Sequence, residues 1–381
     1  MSVSRRHALK SGVALGASVV MNRSASASGV TRNAEGSGAK TAAPLLTLED
    51  YERAARERVD PVAWEYISSG AADEISLRWN VDAYRSVRLM PRQLRDVSTL
   101  DTSVRLLGTR LTHPILLAPT ACHRLAHPDG EVGTARGARA AGAGMVLSSY
   151  STIPVEQVAV EKPSLFWFQL YVQERAYTER LVRRAVAAGA TVIAVTVDTP
   201  VAGPRNRQER SGFVFPKNLP HISGDRPEHP LTWKDLEWIQ RAAGVPIFLK
   251  GVLHPDDAEL GVKAGAAGIM VSNHGGRNLD TALATIDALP AIVDKVGGRI
   301  PVIVDGGIRR GTDVLKALAY GATAVMIGRP YVHGLAVNGA TGVEAVVGIL
   351  RREMELAMML SGCATLAAVD RGILAGTCQR T

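Results

Sequence analysis

From Ile115 onward eight short apolar runs recur: ILLAPT at 115–120, GMVLSS at 144–149, LFWFQLY at 165–171, TVIAVTVD at 191–198, PIFLKG at 246–251, GIMVSN at 268–273, PVIVDG at 301–306 and AVMIGR at 324–329. Val, Ile and Leu follow one another without strict alternation, as strands buried on both faces require. Between the runs, segments 179–188, 255–264 and 312–320 carry helical periodicity. They end close to Gly189, Gly265 and Gly321, where a left-handed helix terminus needs a residue without Cβ. Strand and helix alternating in this way predict an α/β fold of the (β/α)8 TIM-barrel type with a short helical N-terminal extension, rather than an open doubly wound sheet.

The runs end on polar residues: Thr120, Ser148, Gln169 and Tyr171, Thr196 and Asp198, Lys250, Asn273 and His274, Asp305, and Arg329. Any one of these is readily explained as a strand-end cap. All eight ends being polar predicts a site, because strand C-termini form the functional face of such barrels.

Composition adds less. Of the formal charge of +8, four positive charges (Arg5, Arg6, Lys10, Arg23) fall in residues 1–27, which contain no acid, so the remainder is +4. That is too mild to argue for nucleic acid. Cys122, Cys363 and Cys378 show neither CxxC spacing nor a paired histidine, which excludes a readable disulfide framework or metal site and leaves buried free thiols. Residues 1–27 run from Ser4-Arg5-Arg6 through a weakly apolar stretch, Gly12 to Met21, to Ala25-Ser26-Ala27. This resembles a twin-arginine signal peptide and predicts export to the periplasm or medium; the alternative is a basic tail on a cytoplasmic enzyme. The apolar stretch is too short to span a bilayer, so no permanent membrane anchor is expected. Residues 28–44 read as a flexible linker, and 45–376 as the catalytic domain.

Candidate chemistry gathers in three places. Ser272-Asn273-His274-Gly275-Gly276-Arg277 sets a base that titrates near neutrality three residues from a guanidinium able to grip a carboxylate through two parallel N–H groups. Its glycines predict a loop that a planar ligand approaches closely. Asp198 is a candidate partner for His274 across the barrel mouth, or else a cap or ion-pair residue. Asp305-Gly306-Gly307-Ile308-Arg309 and Gly328-Arg329 end the last two strands, where barrels commonly bind phosphate on free backbone N–H groups and arginines. Lys250 adds a cation inside the mouth.

Taken together, SNHGGR, DGGIRRGTD, IGRP, FQLY, TVDTP and APTA resemble the FMN-dependent 2-hydroxy acid dehydrogenase and oxidase family over about residues 45–376. The resemblance implies FMN as cofactor and oxidation of a small (S)-2-hydroxy acid to a 2-oxo acid. It implies His274 as base with Asp198 paired to it, Arg205, Arg277 and Tyr66 on the substrate carboxylate, and Tyr171 on its hydroxyl. The flavin is expected on the backbone of Pro119, Thr120 and Ala121, with Ser148, Gln169, Thr196, Lys250 and Ser272 at the ring. Asp305, Gly306, Gly307, Arg309, Gly328 and Arg329 are expected at the ribityl chain and phosphate. It further implies a homotetramer, and either O2, giving H2O2, or a quinone or cytochrome as electron acceptor.

Tyr150 stands where glycolate oxidases usually have Trp, and the stretch from Val201 to Pro216 looks closest to lactate oxidases, which favours a short substrate. Gln208, Ser211 and Asn278 depart from the residues common in the family at those positions. A flavin-dependent isomerase of isoprenoid diphosphates is the competing enzyme class, set aside by SNHGGR. A non-catalytic flavin scaffold is the competing class without turnover, set aside because it has no use for a carboxylate clamp.

Overall fold

The computed structural model describes residues 44–375 apart from 225, 226 and 228. The predicted signal, nearly all of the linker and Cys378 lie outside the described residues. Among the described residues ten strands form: β1 (Val104–Leu106), β2 (Thr109–Leu111), β3 (Ile115–Leu117), β4 (Gly144–Ser148), β5 (Leu165–Leu170), β6 (Ile193–Thr196), β7 (Ile247–Val252), β8 (Gly268–Val271), β9 (Val302–Val304) and β10 (Ala324–Ile327). The eight apolar runs become β3 to β10, a closed parallel barrel in which β10 pairs back onto β3 through Val325–Ile115, Met326–Leu116 and Ile327–Leu117.

The missing alternation has a simple cause. Leu116, Val146, Trp167, Phe248, Met270 and Ile303 belong to one buried cluster inside the barrel. Their neighbours Ile115, Met145, Phe168, Leu249, Ile269 and Val304 belong to another, against the helices. Successive side chains point to opposite faces, and both faces are dry. The Trp167 and Phe248 rings meet at 4.7 Å, and a Cβ on Gly268 would lie 2.1 Å from the Phe248 ring, so only glycine fits there.

Except for β7, the hydrogen-bonded strands are shorter than the apolar runs. Thr120, Asp198, His274 and Asp305 all lie beyond the last ladder residue, where the chain turns over the mouth. The sequence reading also lacked the hairpin β1–β2. Its two-residue turn is Leu107-Gly108, both with positive φ as a type I′ turn requires. Leu106 and Leu111 share the interior cluster with Leu165, Val192 and Ala324 at strand beginnings, so the hairpin caps the N-terminal end of the barrel.

Twelve α-helices complete the fold among the described residues: α1 (Leu48–Arg56), α2 (Pro61–Ser68) and α3 (Ile75–Ser86) form the N-terminal extension. The others are α4 (Gly130–Ala141), α5 (Val155–Ala159), α6 (Arg175–Ala187), α7 (Asn206–Arg210), α8 (Asp235–Ala243), α9 (Pro255–Lys263), α10 (Thr285–Val296), α11 (Gly311–Ala319) and α12 (Arg329–Leu360). Gly189, Gly265 and Gly321 follow α6, α9 and α11 with φ of 109°, 78° and 103°, as predicted. α12 is long and apolar enough to cross a membrane by length and composition, yet 67% of its apolar window is buried inside the protein. It is two helices joined across Asn338 and Gly339, and Arg58 donates to the freed Val337 carbonyl at 2.6 Å.

Candidate active site

A cavity of about 690 Å3 opens at the C-terminal ends of the strands. Its walls include Tyr66, Tyr171, Arg205, His274 and Arg277 in one part and Gly306, Gly307, Arg309 and Arg329 in another.

The first part centres on His274. Its Nδ1 lies 3.1 Å from Asp198 Oδ1, and its Nε2 lies 3.0 Å from the Tyr171 hydroxyl. A carboxylate can only accept, so Nδ1 carries the proton and donates to Asp198, which leaves Nε2 with a lone pair facing Tyr171. Burial and the Lys250 ammonium push the imidazole down to about 4, against the opposing pull of Asp198, so the ring is neutral at physiological pH. Burial would raise the Asp198 carboxyl, but Lys250 and His274 together hold it below the ordinary range.

Backbone geometry makes this pairing possible. At the end of β7 the register shifts between Lys250 and Val252, and Gly251 there has φ 106°. A Cβ on Gly251 would sit 2.4 Å from Asp198 Cγ, so glycine opens the space that the carboxylate fills. His274 itself is left-handed, φ 58°, an uncommon conformation for a residue with a side chain. The glycines after it also admit protein groups: Cβ atoms at Gly275 and Gly276 would meet Arg329 Nη1 at 3.1 Å and the Leu77 backbone nitrogen at 2.6 Å, while Gly275 lines the cavity as well.

Arg277 donates to the carbonyls of Tyr66 and Ser69 at 2.8 and 2.6 Å and lies over the Tyr66 ring; Arg205 Nε reaches the Arg277 carbonyl at 3.3 Å. Burial lowers Arg277 to about 10, which leaves it cationic. Phe213 stacks on Tyr66 at 4.4 Å, while Phe215 lies edge-on to Tyr66 and is tilted toward Tyr150, making an aromatic wall.

The second part begins with a row of polar strand ends. Ser148 Oγ donates to Gln169 Oε1 at 3.1 Å, and Gln169 Nε2 donates to Thr196 Oγ1 at 2.8 Å; Thr196 pairs in register with Lys250. Gln169, Asp198 and Ser272 stand behind the cavity wall, Ser272 Oγ accepting from the His274 N–H. Asp305 Oδ1 is buried with no hydrogen-bond partner among the described residues, and burial raises its carboxyl. Arg329 donates to the carbonyls of Ile67, Gly275 and Ser69, and Arg309 to that of Ile308. Burial, with Arg277 and Arg309 nearby, lowers Arg329 to about 9. These groups fit FMN: a ladder of hydrogen-bonding ends for a heteroaromatic edge, an acceptor awaiting a hydroxyl, and cations beside glycine turns for a phosphate.

A buried network beneath Thr120 was absent from the sequence reading. Thr120 Oγ1 meets His123 Nε2 at 2.7 Å and the Tyr331 hydroxyl, which donates to the Ala118 carbonyl at 2.8 Å. Glu131, fully buried, accepts from the N–H groups of His123 and Thr152. Nothing in the local pattern marks these residues: His123 lies in a short turn and Glu131 at a helix start, and Tyr331, which closes the network, is 211 residues from Thr120.

A closed (β/α)8 barrel whose mouth joins a histidine–aspartate pair, clustered arginines and a phosphate-type glycine turn defines a flavin-nucleotide oxidoreductase of the barrel class. Residues 55–376 match the family model described as FMN-dependent dehydrogenase. Over 356 residues the chain is 45% identical to L-lactate oxidase from Nostoc sp., covering 86% of this chain and 98% of that protein. It is 45% identical over 350 residues to glycolate oxidase 1 from Oryza sativa subsp. indica, covering 86% and 95%. Among solved structures, mandelate oxidase with benzoyl-formic acid superposes with a TM-score of 0.83 at 40% identity, covering 87% of this chain and 98% of that one. The chain belongs to the FMN-dependent dehydrogenase family.

Proposed function

We propose that this protein oxidises a small (S)-2-hydroxy acid, L-lactate or glycolate, to the 2-oxo acid, with O2 as acceptor and H2O2 as product. The observation that carries the reading is the half-buried imidazole of His274, held between Asp198 and Tyr171 beside Arg205 and Arg277. Its similarity to L-lactate oxidase and glycolate oxidase supports an oxidase of short hydroxy acids.

Bound FMN would supply the two-electron acceptor. The residues to hold it are Pro119, Thr120 and Ala121 beneath the ring, Ser148, Thr196 and Lys250 at its edge with Gln169 and Ser272 behind them, and Asp305, Gly306, Gly307, Arg309, Gly328 and Arg329 along the ribityl phosphate. Arg205 and Arg277 bind the substrate carboxylate, aided by the Tyr66 hydroxyl, whose pKa burial pushes up to about 12 so that it remains a donor. The Tyr171 hydroxyl, 3.0 Å from Nε2, would contact the substrate hydroxyl beside the base. His274 Nε2 takes the proton from substrate, and Asp198, already bonded to Nδ1, stabilises the imidazolium. Lys250 offsets negative charge that develops on the electron acceptor.

A second reading, an aromatic hydroxy acid as substrate, is favoured by the wall of Tyr150, Phe213 and Phe215 and by the likeness to mandelate oxidase. Anaerobic titration of the yellow holoenzyme with L-lactate, glycolate and (S)-mandelate, followed by air, separates the two. Bleaching by a short acid with rapid recolouring and peroxide is expected; bleaching by mandelate alone selects the second reading. Slow recolouring selects a quinone- or cytochrome-linked dehydrogenase, and no bleaching by any acid rejects the proposal. Export by the twin-arginine route and a homotetramer extend the proposal. Full-length protein confined to the cytosol would reject the first, and a monomeric mass in solution the second.

A further inference from the structure

The N-terminal extension reaches into the site through one residue that no catalytic role requires. Asn80, on α3, is 2% exposed and faces Asn273, the residue before the candidate base, in a reciprocal amide pair. Asn80 Nδ2 donates to Asn273 Oδ1 at 2.8 Å, and Asn273 Nδ2 donates to Asn80 Oδ1 at 2.8 Å. Backbone groups fix which way each amide points. Asn273 Oδ1 also accepts from the Gly276 N–H at 3.0 Å and its Nδ2 donates to the Leu283 carbonyl at 3.2 Å, while Asn80 Oδ1 accepts from the Thr285 N–H at 3.3 Å. Neither amide can rotate without breaking these bonds.

The same asparagine abuts the other part of the cavity. A Cβ on Gly307 would lie 1.8 Å from the Asn80 carbonyl oxygen, and one on Gly306 would lie 3.3 Å from Asn80 Nδ2. Thr285, whose N–H bonds Asn80, donates its hydroxyl to the Asp305 carbonyl at 2.5 Å. One residue therefore meets both parts: its side chain bonds the loop that carries His274, while its backbone carbonyl packs against Gly307 and its Nδ2 faces Gly306 in the turn that follows β9.

We propose that Asn80 is a positioning residue that locks the His274 loop and the Gly306-Gly307 turn into one register, so that base placement and FMN retention depend on it together. His274 holds its left-handed backbone between Asn273 and Gly276, the two residues whose amide and N–H the pair fixes. The inference rests on the FMN and base assignments above.

Asn80→Asp tests it, because the shape is kept while an oxygen replaces the donor facing Asn273 Oδ1. Using FMN-loaded enzyme, the expected results are an FMN Kd raised roughly 10-fold, kcat per bound flavin lowered roughly 10-fold, and KM within about twofold, the size of one buried hydrogen bond turned repulsive. A purely structural role would lower the melting temperature and leave Kd and kcat per bound flavin unchanged, which would overturn the proposal. Loss of FMN affinity with kcat per flavin intact would overturn it as well, since the two loops would then not be coupled. Should Asn80→Asp fail to fold, Asn80→Ser is measured in the same way. The His274 imidazole proton resonance, assigned with His274→Gln, reports the base loop without turnover. Its displacement in Asn80→Asp is expected even if no 2-hydroxy acid is oxidised, so failure of the clamp and failure of the proposed reaction are distinguishable.

Discussion

The two ends of the barrel are built from the same strands and differ within two residues. Inward-facing Val146, Trp167, Ala194, Phe248, Met270 and Ile303 form the dry floor. Two positions further along each strand, and so one layer up on the same face, stand Ser148, Gln169, Thr196, Lys250, Ser272 and Asp305, all buried and polar. The floor is satisfied by packing alone. At the mouth there are a left-handed histidine, a carboxylate oxygen without a partner, and arginines whose hydrogen bonds run to backbone carbonyls. Stability is concentrated in one layer and reactivity in the next, and the strain of the second is tolerated because the first is close-packed.

That division can be broken from either side. The largest effect is expected at the mouth: His274→Gln should lower kcat about 10³-fold or more while FMN content and melting temperature stay near wild type, as stopped-flow reduction and thermal scans will read. At the floor, Trp167→Ala should cost about 3–5 kcal/mol in urea unfolding and leave kcat of the folded fraction unchanged. Gly251→Ala sits between the layers, at φ 106° and against Asp198, and should do both. It should lose about 1–3 kcal/mol of stability, with kcat falling through displacement of the Asp198 carboxylate.

The most gradual effect, smallest over any one pH unit, is a titration. Burial pushes His274 and His221 down to about 4 and His333 to about 3, below their unfolded value. A depressed histidine makes its full contribution above the unfolded pKa of about 6.5. As pH falls the unfolded chain takes up protons first, at up to about 1.4 kcal/mol per pH unit for each group. Stability should therefore decline from about pH 6.5 toward 4, and a urea midpoint that stays flat over that range would contradict the neutral state assigned to these rings.

Much of this was legible in sequence because barrel strands are dry on both faces and the apolar runs are therefore unbroken. The same signal failed for β1 and β2, where exposed Arg105 and Arg110 interrupt the strands so that no unbroken apolar run forms. Site residues at strand ends were legible because polar groups terminating apolar runs stand out. Asn80 did not stand out: an asparagine inside a helix reads as a poor helix former, and its meaning comes from Asn273, far along the chain. The glycines of the His274 loop were legible as a close approach, but sequence could not say that the approaching groups are α3 and Arg329.

The seam between β3 and β10 has a consequence for biosynthesis. Because Ile115 finds its partner in Val325, the ring of hydrogen bonds cannot close until almost the whole chain has left the ribosome. Until then both edges of a growing parallel sheet stay open to mispairing. Closure of the ring is thus a late, long-range event, and the edges of the emerging sheet stay exposed until its last strand arrives.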